Sequence, residues 1–270
     1  MAAQKTIQET ILVFDSGLGG LTVYRDIVKV RPNADFIYVA DDAGFPYGAM
    51  DEEKLVARLV ALFGELIATH RPDLIVIACN TASTIALPAL RKNFQVPFVG
   101  TVPAIKPACA ASASKLVSVL GTQATVAREY TRALIRDYAN GADVTLVGSG
   151  ALAPLAEAKL RGEHVEDTAI ARELAPCFVE IAGRRTDTVV LACTHYPLLL
   201  DELSALSPWP VAFIDPAPAI ARRAVELVGP AWCAPAGGTN EILFTSGRPP
   251  SPPLSAALGT FGLGGIRAAV

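Results

Sequence analysis

One short phrase occurs twice in this chain, and it limits the folds that the chain can adopt. Residues 74–81 read LIVIACNT and residues 188–195 read TVVLACTH, so each apolar run ends in Ala-Cys and two polar residues. Short apolar runs rich in β-branched residues, followed by a helix-start signal, are typical of buried strands in a parallel sheet. We therefore expect Cys79 and Cys193 at the carboxyl ends of two strands, where open α/β sheets bind their ligands.

Short apolar runs alternate with longer amphipathic ones along the sequence, which predicts an α/β fold built from βα units. Two series of units, each with its own cysteine strand, predict two parallel-sheet α/β lobes. The expected first lobe is discontinuous, with residues 1–98 and 211–270, and the second lobe covers residues 99–210. The segment 211–214 is assigned to the first lobe. The Pro- and Gly-rich tail from Arg248 is expected to be an extended or mobile end without chemistry.

The composition excludes a disordered chain and indicates neither a nucleic-acid partner nor a membrane partner. Of the 270 residues, 51% are hydrophobic and 18% are charged, and the net charge of -3 comes with scattered basic residues. Apolar stretches are interrupted well short of the roughly 18 residues that span a bilayer. The polar N-terminal segment lacks a signal-peptide core, and five widely spaced cysteines fit reduced thiols. We expect a cytoplasmic protein.

Two thiols that face each other across a cleft suit inversion at a carbon atom. One group removes a proton from one face while the other delivers a proton to the opposite face. A helix N-terminus lowers the pKa of a thiol, and we expect this effect at both Cys79 and Cys193. Isolated cysteines are more often inert packing residues. That is our interpretation of Cys109, Cys177 and Cys233, which lack the strand-end context.

His195 follows Cys193 by two residues and is one of three histidines in the chain. It is placed to shuttle a proton to the neighbouring thiol or to pair with a substrate carboxylate. Glu157 is a candidate partner of His195, and a solvated helix-surface glutamate is the alternative. A zinc site made of the two thiols and His195 lacks the usual ligand spacing and a fourth ligand, so no metal is expected.

Two turns offer further polar groups. Residues 15–20, DSGLGG, follow the first strand and open a helix, which is the position of an anion-binding turn. The turn resembles a dinucleotide fingerprint loosely, with Asp41 as the ribose-binding acid. Asp15 fits better as a carboxylate that orients a cation or accepts a thiol proton, and Ser16 as a donor to a substrate carboxylate; a capping turn is the alternative. In residues 45–48, FPYG, the turn residue Gly48 lets a substrate approach the backbone.

Four motifs together resemble the glutamate racemases of the aspartate/glutamate racemase superfamily. They are VFDSGLGGLTV at residues 13–23, PYG at 46–48, ACNTAS at 78–83 and ACTHYPLL at 192–199. Their order and spacing match that family over nearly the whole chain. The resemblance implies two pseudo-symmetric lobes with the active site in the cleft between them. It also implies a homodimer that racemises L- and D-glutamate without a cofactor and supplies D-glutamate for peptidoglycan.

The resemblance also implies which residues form the site. Cys79 and Cys193 match an acid/base pair that acts on opposite enantiomers, and Glu157 matches an auxiliary acid. Asp15 and His195 are expected to assist catalysis. Gly44, Phe45 and Ala49 depart from the family pattern in a loop that shapes the pocket. The residues expected to bind substrate are Asp15, Ser16, Tyr47, Gly48, Asn80, Thr81, Thr122, Thr194 and His195.

Three other hypotheses remain open from the sequence. The nearest is a related two-cysteine racemase or isomerase that acts on aspartate, a hydantoin or maleate, which differs in substrate preference. The second is a nucleotide-binding or regulatory protein built on the DSGLGG turn, which binds nucleotide independently of the two cysteines. The third is an inactive racemase fold that only binds partners, which predicts no proton exchange at the α-carbon.

Overall fold

The computed structural model describes residues 9–229 and 237–268, and in this part of the chain helices connect the strands of two parallel sheets. The strands are β1 (Thr10–Asp15), β2 (Asp35–Ala40), β3 (Leu74–Ile77), β4 (Phe98–Gly100), β5 (Leu116–Thr122), β6 (Asp143–Ser149), β7 (Glu180–Ile181), β8 (Arg184–Arg185), β9 (Thr188–Ala192), β10 (Ala212–Ile214), β11 (Asn240–Phe244) and β12 (Gly265–Ala268). The helices are α1 (Leu21–Val30), α2 (Glu52–His70), α3 (Asn80–Ile85), α4 (Leu87–Asn93), α5 (Ile105–Ala111), α6 (Gln123–Ala127), α7 (Glu129–Tyr138), α8 (Leu152–Leu160), α9 (Asp167–Leu174), α10 (Leu200–Ala205), α11 (Ala217–Val228) and α12 (Pro252–Thr260).

The first sheet has six parallel strands in the order β12-β11-β2-β1-β3-β4. Successive side chains of a strand point to opposite faces, and helices cover both faces of this sheet. In β1, Ile11 and Val13 therefore pack into a core with α1, α11 and α12. Leu12 and Phe14 pack into the opposite core with α2, α3 and α4. Double-sided burial explains why β1 and β3 read as continuous apolar runs rather than alternating ones.

The second sheet has four parallel strands in the order β10-β9-β5-β6, and it follows the same two-sided pattern. Val189 and Leu191 of β9 pack with α8 and α9. Val190 and Ala192 pack on the other face with α5 and residues of α7. Strands β7 and β8 pair with each other in a separate antiparallel hairpin. The α/β fold class with two parallel-sheet lobes is confirmed.

The strand at residues 212–214 belongs to the second sheet, so its assignment to the first lobe was wrong. Residues Ala212, Phe213 and Ile214 pair in parallel with β9. A connection this short returns the chain beside the strand it has just left, through α10, and a neighbouring strand position is the nearest available partner. From strand membership we propose a first lobe that ends after Gly100 and resumes at α11, with the second lobe between them.

The C-terminal tail is also more regular than the sequence led us to expect. The Ser251 hydroxyl accepts a hydrogen bond from the Leu254 amide, and Pro252 takes the first position of α12, where a missing N–H costs nothing. Leu254 and Leu258 are buried in the core of the first lobe. The strand β12 then extends the first sheet beside β11. The Pro-rich run is therefore a helix start, not an extended end.

The strand directions decide where the functional residues lie. Asp15 ends β1, Thr122 ends β5, and Cys79 and Cys193 follow the last residues of β3 and β9 closely. Because every strand in each of the two sheets is parallel, the carboxyl ends of a sheet meet at one edge.

Across residues 9–229 and 237–268, no helix combines the length and apolarity needed to cross a bilayer.

Candidate active site

The two strand-end cysteines line one small, partly open cavity between the lobes, with a volume of about 30 Å³. Both thiols are nearly buried, with Cys79 5% and Cys193 6% exposed. The two strands that carry them belong to different sheets, so the sulfur atoms reach the cavity from different lobes. The lining residues are Ser16, Phe45, Pro46, Tyr47, Gly48, Cys79, Asn80, Thr81, Thr122, Ala153, Cys193, Thr194 and His195.

Cys79 is the N-terminal cap of α3. Its sulfur accepts a hydrogen bond from the Ala82 amide at 3.5 Å, and its thiol donates to the Ser16 hydroxyl at 3.7 Å. Burial raises the pKa of Cys79, the charge of Asp15 raises it further, and the hydrogen bonds with Ala82 and Ser16 offset this only in part. The helix N-terminus therefore does not bring this pKa below its usual value as expected, because desolvation dominates.

Cys193 has a different environment from Cys79. It does not cap a helix: a 3₁₀ turn at Tyr196–Leu199 follows, with His195 as its cap residue. The Cys193 sulfur instead lies 3.9 Å from Nδ1 of His195. Its chemistry is therefore coupled to an imidazole rather than to a row of backbone amides.

His195 and Glu157 form a buried pair, which confirms the sequence-based pairing. His195 Nε2 lies 3.0 Å from Glu157 Oε1, and both side chains are 3% exposed. Burial alone lowers the pKa of His195, but the hydrogen bonds with Cys193 and Glu157 and the charge of Asp15 together raise it well above 6.5. Burial raises the pKa of Glu157, whereas the hydrogen bond and charge of His195, the Leu18 amide and Arg161 lower it overall. The pair is therefore an imidazolium and a carboxylate.

Two further donors hold the Glu157 carboxylate. The Leu18 amide donates to Oε1 at 2.6 Å, and Arg161 Nη2 donates to Oε2 at 2.7 Å. The sequence analysis missed Arg161, although its position four residues after Glu157 places both on one face of a helix. The anion at the DSGLGG turn is thus a carboxylate of the protein itself. Because the Leu18 amide of the turn already binds the Glu157 carboxylate, the structure gives no support to the nucleotide-binding hypothesis at that turn.

The glycines of this turn allow the second lobe to approach. A Cβ atom on Gly19 would lie 2.4 Å from Nδ1 of His195, and one on Gly17 would lie 2.3 Å from Oε1 of Glu157. Contacts this close do not occur between real side chains, so only glycine fits both positions. Phe45 also packs against the imidazole, with its ring centroid 5.5 Å from that of His195. These contacts position the imidazole between two loops of the first lobe.

Asp15 is fully buried at the end of β1 and connects the two lobes. The Gly17 amide donates to its Oδ2 at 3.2 Å, and the Thr194 hydroxyl donates to its Oδ1 at 3.3 Å. Thr194 comes from the second lobe, immediately after Cys193. The same carboxylate therefore acts electrostatically on Cys79 and holds the residue beside Cys193.

Asn80 is the clearest candidate for a polar contact with a ligand. Its side chain is 2% exposed, and neither its amide nitrogen nor its carbonyl oxygen has a hydrogen-bond partner within the described residues. Buried polar atoms are costly without partners. Because Asn80 lines the cavity between the thiols, a polar substrate there would satisfy both atoms.

Two threonine hydroxyls meet across the cleft at the cavity wall. Thr81 Oγ1 of the first lobe lies 3.3 Å from Thr122 Oγ1 of the second. Thr122 also caps α6, where it accepts a hydrogen bond from the Thr125 amide at 3.1 Å. A Cβ on Gly48 would be 3.6 Å from Thr122, so the FPYG turn also packs against this cap.

Tyr47 lines the cavity, but its hydroxyl points away from it. The phenol donates to Oδ2 of Asp41, which lies just beyond the end of β2. Burial and the neighbouring Asp41 carboxylate raise the pKa of Tyr47 well above its usual value, so the phenol remains a donor. The aromatic ring and the backbone of the FPYG turn, rather than the phenol, are therefore what Tyr47 and Gly48 offer to a substrate.

The cavity contains many neutral donors. None of its lining residues in the described parts of the chain is a lysine or an arginine. Residues 9–229 and 237–268 hold no cluster of three or more histidine, cysteine or acidic side chains arranged for a metal ion.

Cys109 and Cys177 are buried in the second lobe, as expected for packing residues, and Cys233 lies outside the described residues.

Comparison with known proteins identifies the family. A model of the Asp/Glu/Hydantoin racemase family matches residues 11–224. The glutamate racemase of Sinorhizobium medicae is 55% identical over 247 residues, which cover 91% of each chain. This chain belongs to the Asp/Glu/hydantoin racemase family.

Solved structures place this racemase among close structural relatives. Escherichia coli glutamate racemase, in complex with L-glutamate and the activator UDP-MurNAc-ala, has a TM-score of 0.89 at 40% identity and covers 98% of this chain and 99% of its own. Glutamate racemase from Thermus thermophilus, in complex with beta-chloro-D-alanine, has a TM-score of 0.73 at 31% identity, with 97% of both chains covered. The racemase is an enzyme that acts on an amino acid, as the resemblance implied.

Proposed function

We propose that this racemase interconverts L-glutamate and D-glutamate, with Cys79 and Cys193 as the two proton-transfer groups. The observation that carries the proposal is the placement of two buried thiols, from different lobes, on the wall of one cavity. The identity of the substrate is inferred from similar proteins, such as the glutamate racemase of Sinorhizobium medicae at 55% identity. In E. coli glutamate racemase, L-glutamate is bound within the same fold.

Inversion needs a base on one side of the α-carbon and an acid on the other. In the unliganded site, burial and Asp15 keep Cys79 protonated, so this thiol is the proton donor of the first half-reaction. The cationic His195, 3.9 Å from the Cys193 sulfur, stabilises a negative charge there. Cys193 then removes the α-proton, and Cys79 delivers a proton to the opposite face. The roles reverse for the other enantiomer.

The α-proton of an amino acid is weakly acidic, so the site must stabilise a carbanion. Preorganised donors in a water-poor cavity do this most effectively. Ser16, Thr81 and Thr194 supply hydroxyls. The Asn80 side-chain amide, which has no partner within the described residues, is available to form hydrogen bonds with the substrate.

The wider role follows from this chemistry and from the family. We propose that the enzyme needs no added cofactor, since both proton-transfer groups are its own side chains. D-Glutamate made in this way supplies peptidoglycan synthesis. We further propose that it acts in the cytoplasm as a homodimer, on small-molecule substrates only, without a nucleic-acid or membrane partner.

The direct test is the optical rotation of L-glutamate and, separately, of D-glutamate, followed with purified protein, a reducing agent and a chelator. Both rotations are expected to decay to zero. Cys79→Ser and Cys193→Ser should each slow this decay by about 10³-fold or more. Cys109→Ser, which removes a packing thiol of the second lobe, is the matched control and should remain active.

Two outcomes would contradict the proposal. Decay of optical rotation with aspartate or a hydantoin, or isomerisation of maleate to fumarate, without any decay for glutamate, would identify a related two-cysteine enzyme. Near-normal turnover by either serine variant would show that its thiol is not an essential acid or base. The circular dichroism spectrum of each variant shows whether a loss of activity reflects a loss of fold.

A further inference from the structure

A polar cluster with a buried carboxylate lies behind the FPYG turn, outside the cavity. At its centre is Asp41, which is fully buried and accepts four hydrogen bonds. Tyr47 and Arg58 Nε donate to Oδ2, the latter at 2.7 Å, while Arg58 Nη2 and the Thr245 hydroxyl donate to Oδ1. Neither Asp41, Arg58 nor Thr245 lines the cavity. The cluster is therefore available for holding the turn rather than for touching a substrate.

The donors come from parts of the chain that are far apart in sequence. Arg58 lies on α2, and Thr245 immediately follows β11 of the C-terminal segment. The next residue, Ser246, also contributes, because its amide donates to Asp42 Oδ1 at 2.9 Å. The loop from 41 to 48 is thus fixed by a helix on one side and by the end of a strand on the other.

The loop fits closely over this cluster. A Cβ on Gly44 would lie 2.7 Å from Asp41 Oδ2 and 2.8 Å from Arg58 Nε. Backbone hydrogen bonds complete the fit, since the Gly44 amide donates to the Asp41 carbonyl and the Asp41 amide donates to the Asp15 carbonyl, both at 2.9 Å. The last bond connects the cluster directly to the strand that carries the buried carboxylate of the active site.

Charge favours the same arrangement. Burial alone raises the pKa of Asp41, but the hydrogen bonds from Arg58, Thr245 and Tyr47 lower it overall, so the carboxylate is ionised. A charged acceptor makes stronger hydrogen bonds than a neutral one. Of the three side chains that donate these four hydrogen bonds, Arg58 alone also neutralises the charge, which makes it the main support of the cluster.

We propose that Arg58, through Asp41 and together with Thr245, is a positioning residue that holds Tyr47 and Gly48 against the substrate. This inference rests on the proposed function for its kinetic consequence. The turn contacts substrate equally before and during proton transfer, because it lies beside the thiols and supplies no proton. Loosening it should therefore weaken binding and raise KM, while kcat changes little.

The first experiment measures kinetics for both enantiomers with Arg58→Leu, Arg58→Lys and Thr245→Val. Arg58→Leu should raise KM about tenfold with less than a threefold change in kcat, as expected for lost hydrogen bonds to a charged group. Arg58→Lys should recover most of the loss, and Thr245→Val should raise KM about threefold. Arg91→Lys is the control, because Arg91 donates to the Phe98 carbonyl in the same lobe, away from the cavity.

The second experiment follows amide hydrogen exchange in the unliganded protein. Exchange of residues 41–49 should accelerate about tenfold in Arg58→Leu and Thr245→Val, with β3 and α3 unchanged. Unchanged exchange in both variants would overturn the positioning role whatever the substrate is. Faster exchange with an unchanged KM would overturn its link to substrate binding. If the wild type fails to racemise glutamate, the proposed function is wrong, and the exchange data still decide whether Arg58 holds the turn.

Discussion

The two cysteines have nearly the same local sequence but different surroundings. Cys79 contacts Ser16 and a backbone amide, and the carboxylate of Asp15 opposes a charge on its sulfur. Cys193 contacts an imidazolium that a buried carboxylate holds in place. Equal strand-end positions therefore do not give equal thiols. The groups that distinguish them come from turns and helices outside the repeated phrase.

This difference suits a reaction that must start from one acid and one base. Two identical thiols would both be protonated or would repel each other as thiolates. The neighbours of Cys79 favour a thiol, and those of Cys193 favour a thiolate partner for His195. The following predictions break this asymmetry at successive points, from the largest expected effect to the smallest.

Replacing His195 with asparagine should remove the cation beside Cys193. We expect kcat/KM to fall about 10³-fold, because the base of one half-reaction loses its stabilising partner. The two enantiomers have equal free energies, so the loss in kcat/KM must be the same from either side. Initial-rate polarimetry in both directions measures it. A loss below tenfold would show that the imidazole does not support Cys193.

Replacing Gly19 with alanine should keep the lobes from closing on His195. The new Cβ would be 2.4 Å from Nδ1 of the ring, so we expect kcat/KM to fall about 100-fold with the fold retained. Gly64→Ala is the matched control, since its Cβ would have open space in α2, with Phe94 4.0 Å away. Gly64→Ala should keep full activity and gain up to about 1 kcal/mol of stability. Equal activity in both variants would contradict the close approach at Gly19.

Glu157→Gln should make the protonated form of His195 less stable while keeping a hydrogen-bond partner for its ring. We expect about a tenfold loss in kcat/KM and about 1–2 kcal/mol less stability near pH 6, measured by urea unfolding. The raised pKa of His195 stabilises the fold below pH 6.5, and this contribution is lost as the pH rises through the folded-state value. The lowered pKa of Glu157 stabilises the fold above pH 4.5, and this contribution is lost as the pH falls through its folded-state value.

The difference in unfolding free energy between wild type and Glu157→Gln should therefore be largest between pH 4.5 and 6.5 and shrink on either side. A difference that stays constant across the pH range would contradict the ion pair. Glu226→Gln is the control, because Glu226 pairs with Arg223 at an exposed position on α11. It should change stability by less than about 0.5 kcal/mol.

Alkylation should distinguish the two thiols without any substitution in the protein. With a small haloacetamide and mass spectrometry, Cys79 should need a higher pH for modification than Cys193 does, because burial and Asp15 raise the pKa of Cys79 and a thiolate is the reactive form. Cys177, buried in the second core, should react more slowly than either. Equal pH profiles for Cys79 and Cys193 would contradict the assigned starting roles.

The local structure could be predicted from the sequence. The bounds of α1, α11 and β9, and the strand ends at Cys79 and Cys193, follow from apolar periodicity and helix-start signals. The pairing of Glu157 with His195 could be proposed from the sequence because the two side chains are chemically complementary. The Leu18 amide, 139 residues from Glu157, was not predictable in this way, because the contact forms only when the two lobes meet.

The errors have equally specific causes. The segment at β10 has no pattern that distinguishes one parallel sheet from the other, so only the paired register with β9 decides its place. In the tail, the Ser251-Pro252 helix start was present in the sequence, but the prolines on both sides suggested an irregular chain. The expected lowering of the Cys79 pKa failed because burial depends on tertiary packing.

The measurement that tests the two-thiol account most directly is deuterium incorporation at the α-carbon in D₂O. With Cys193→Ser, only the enantiomer whose α-hydrogen faces Cys79 should exchange, and with Cys79→Ser only the other one should, in both cases without inversion. NMR of each enantiomer, started separately, reads both exchange and configuration. Exchange of the same enantiomer by both variants, or of both enantiomers by either variant, would contradict two thiols acting from opposite faces.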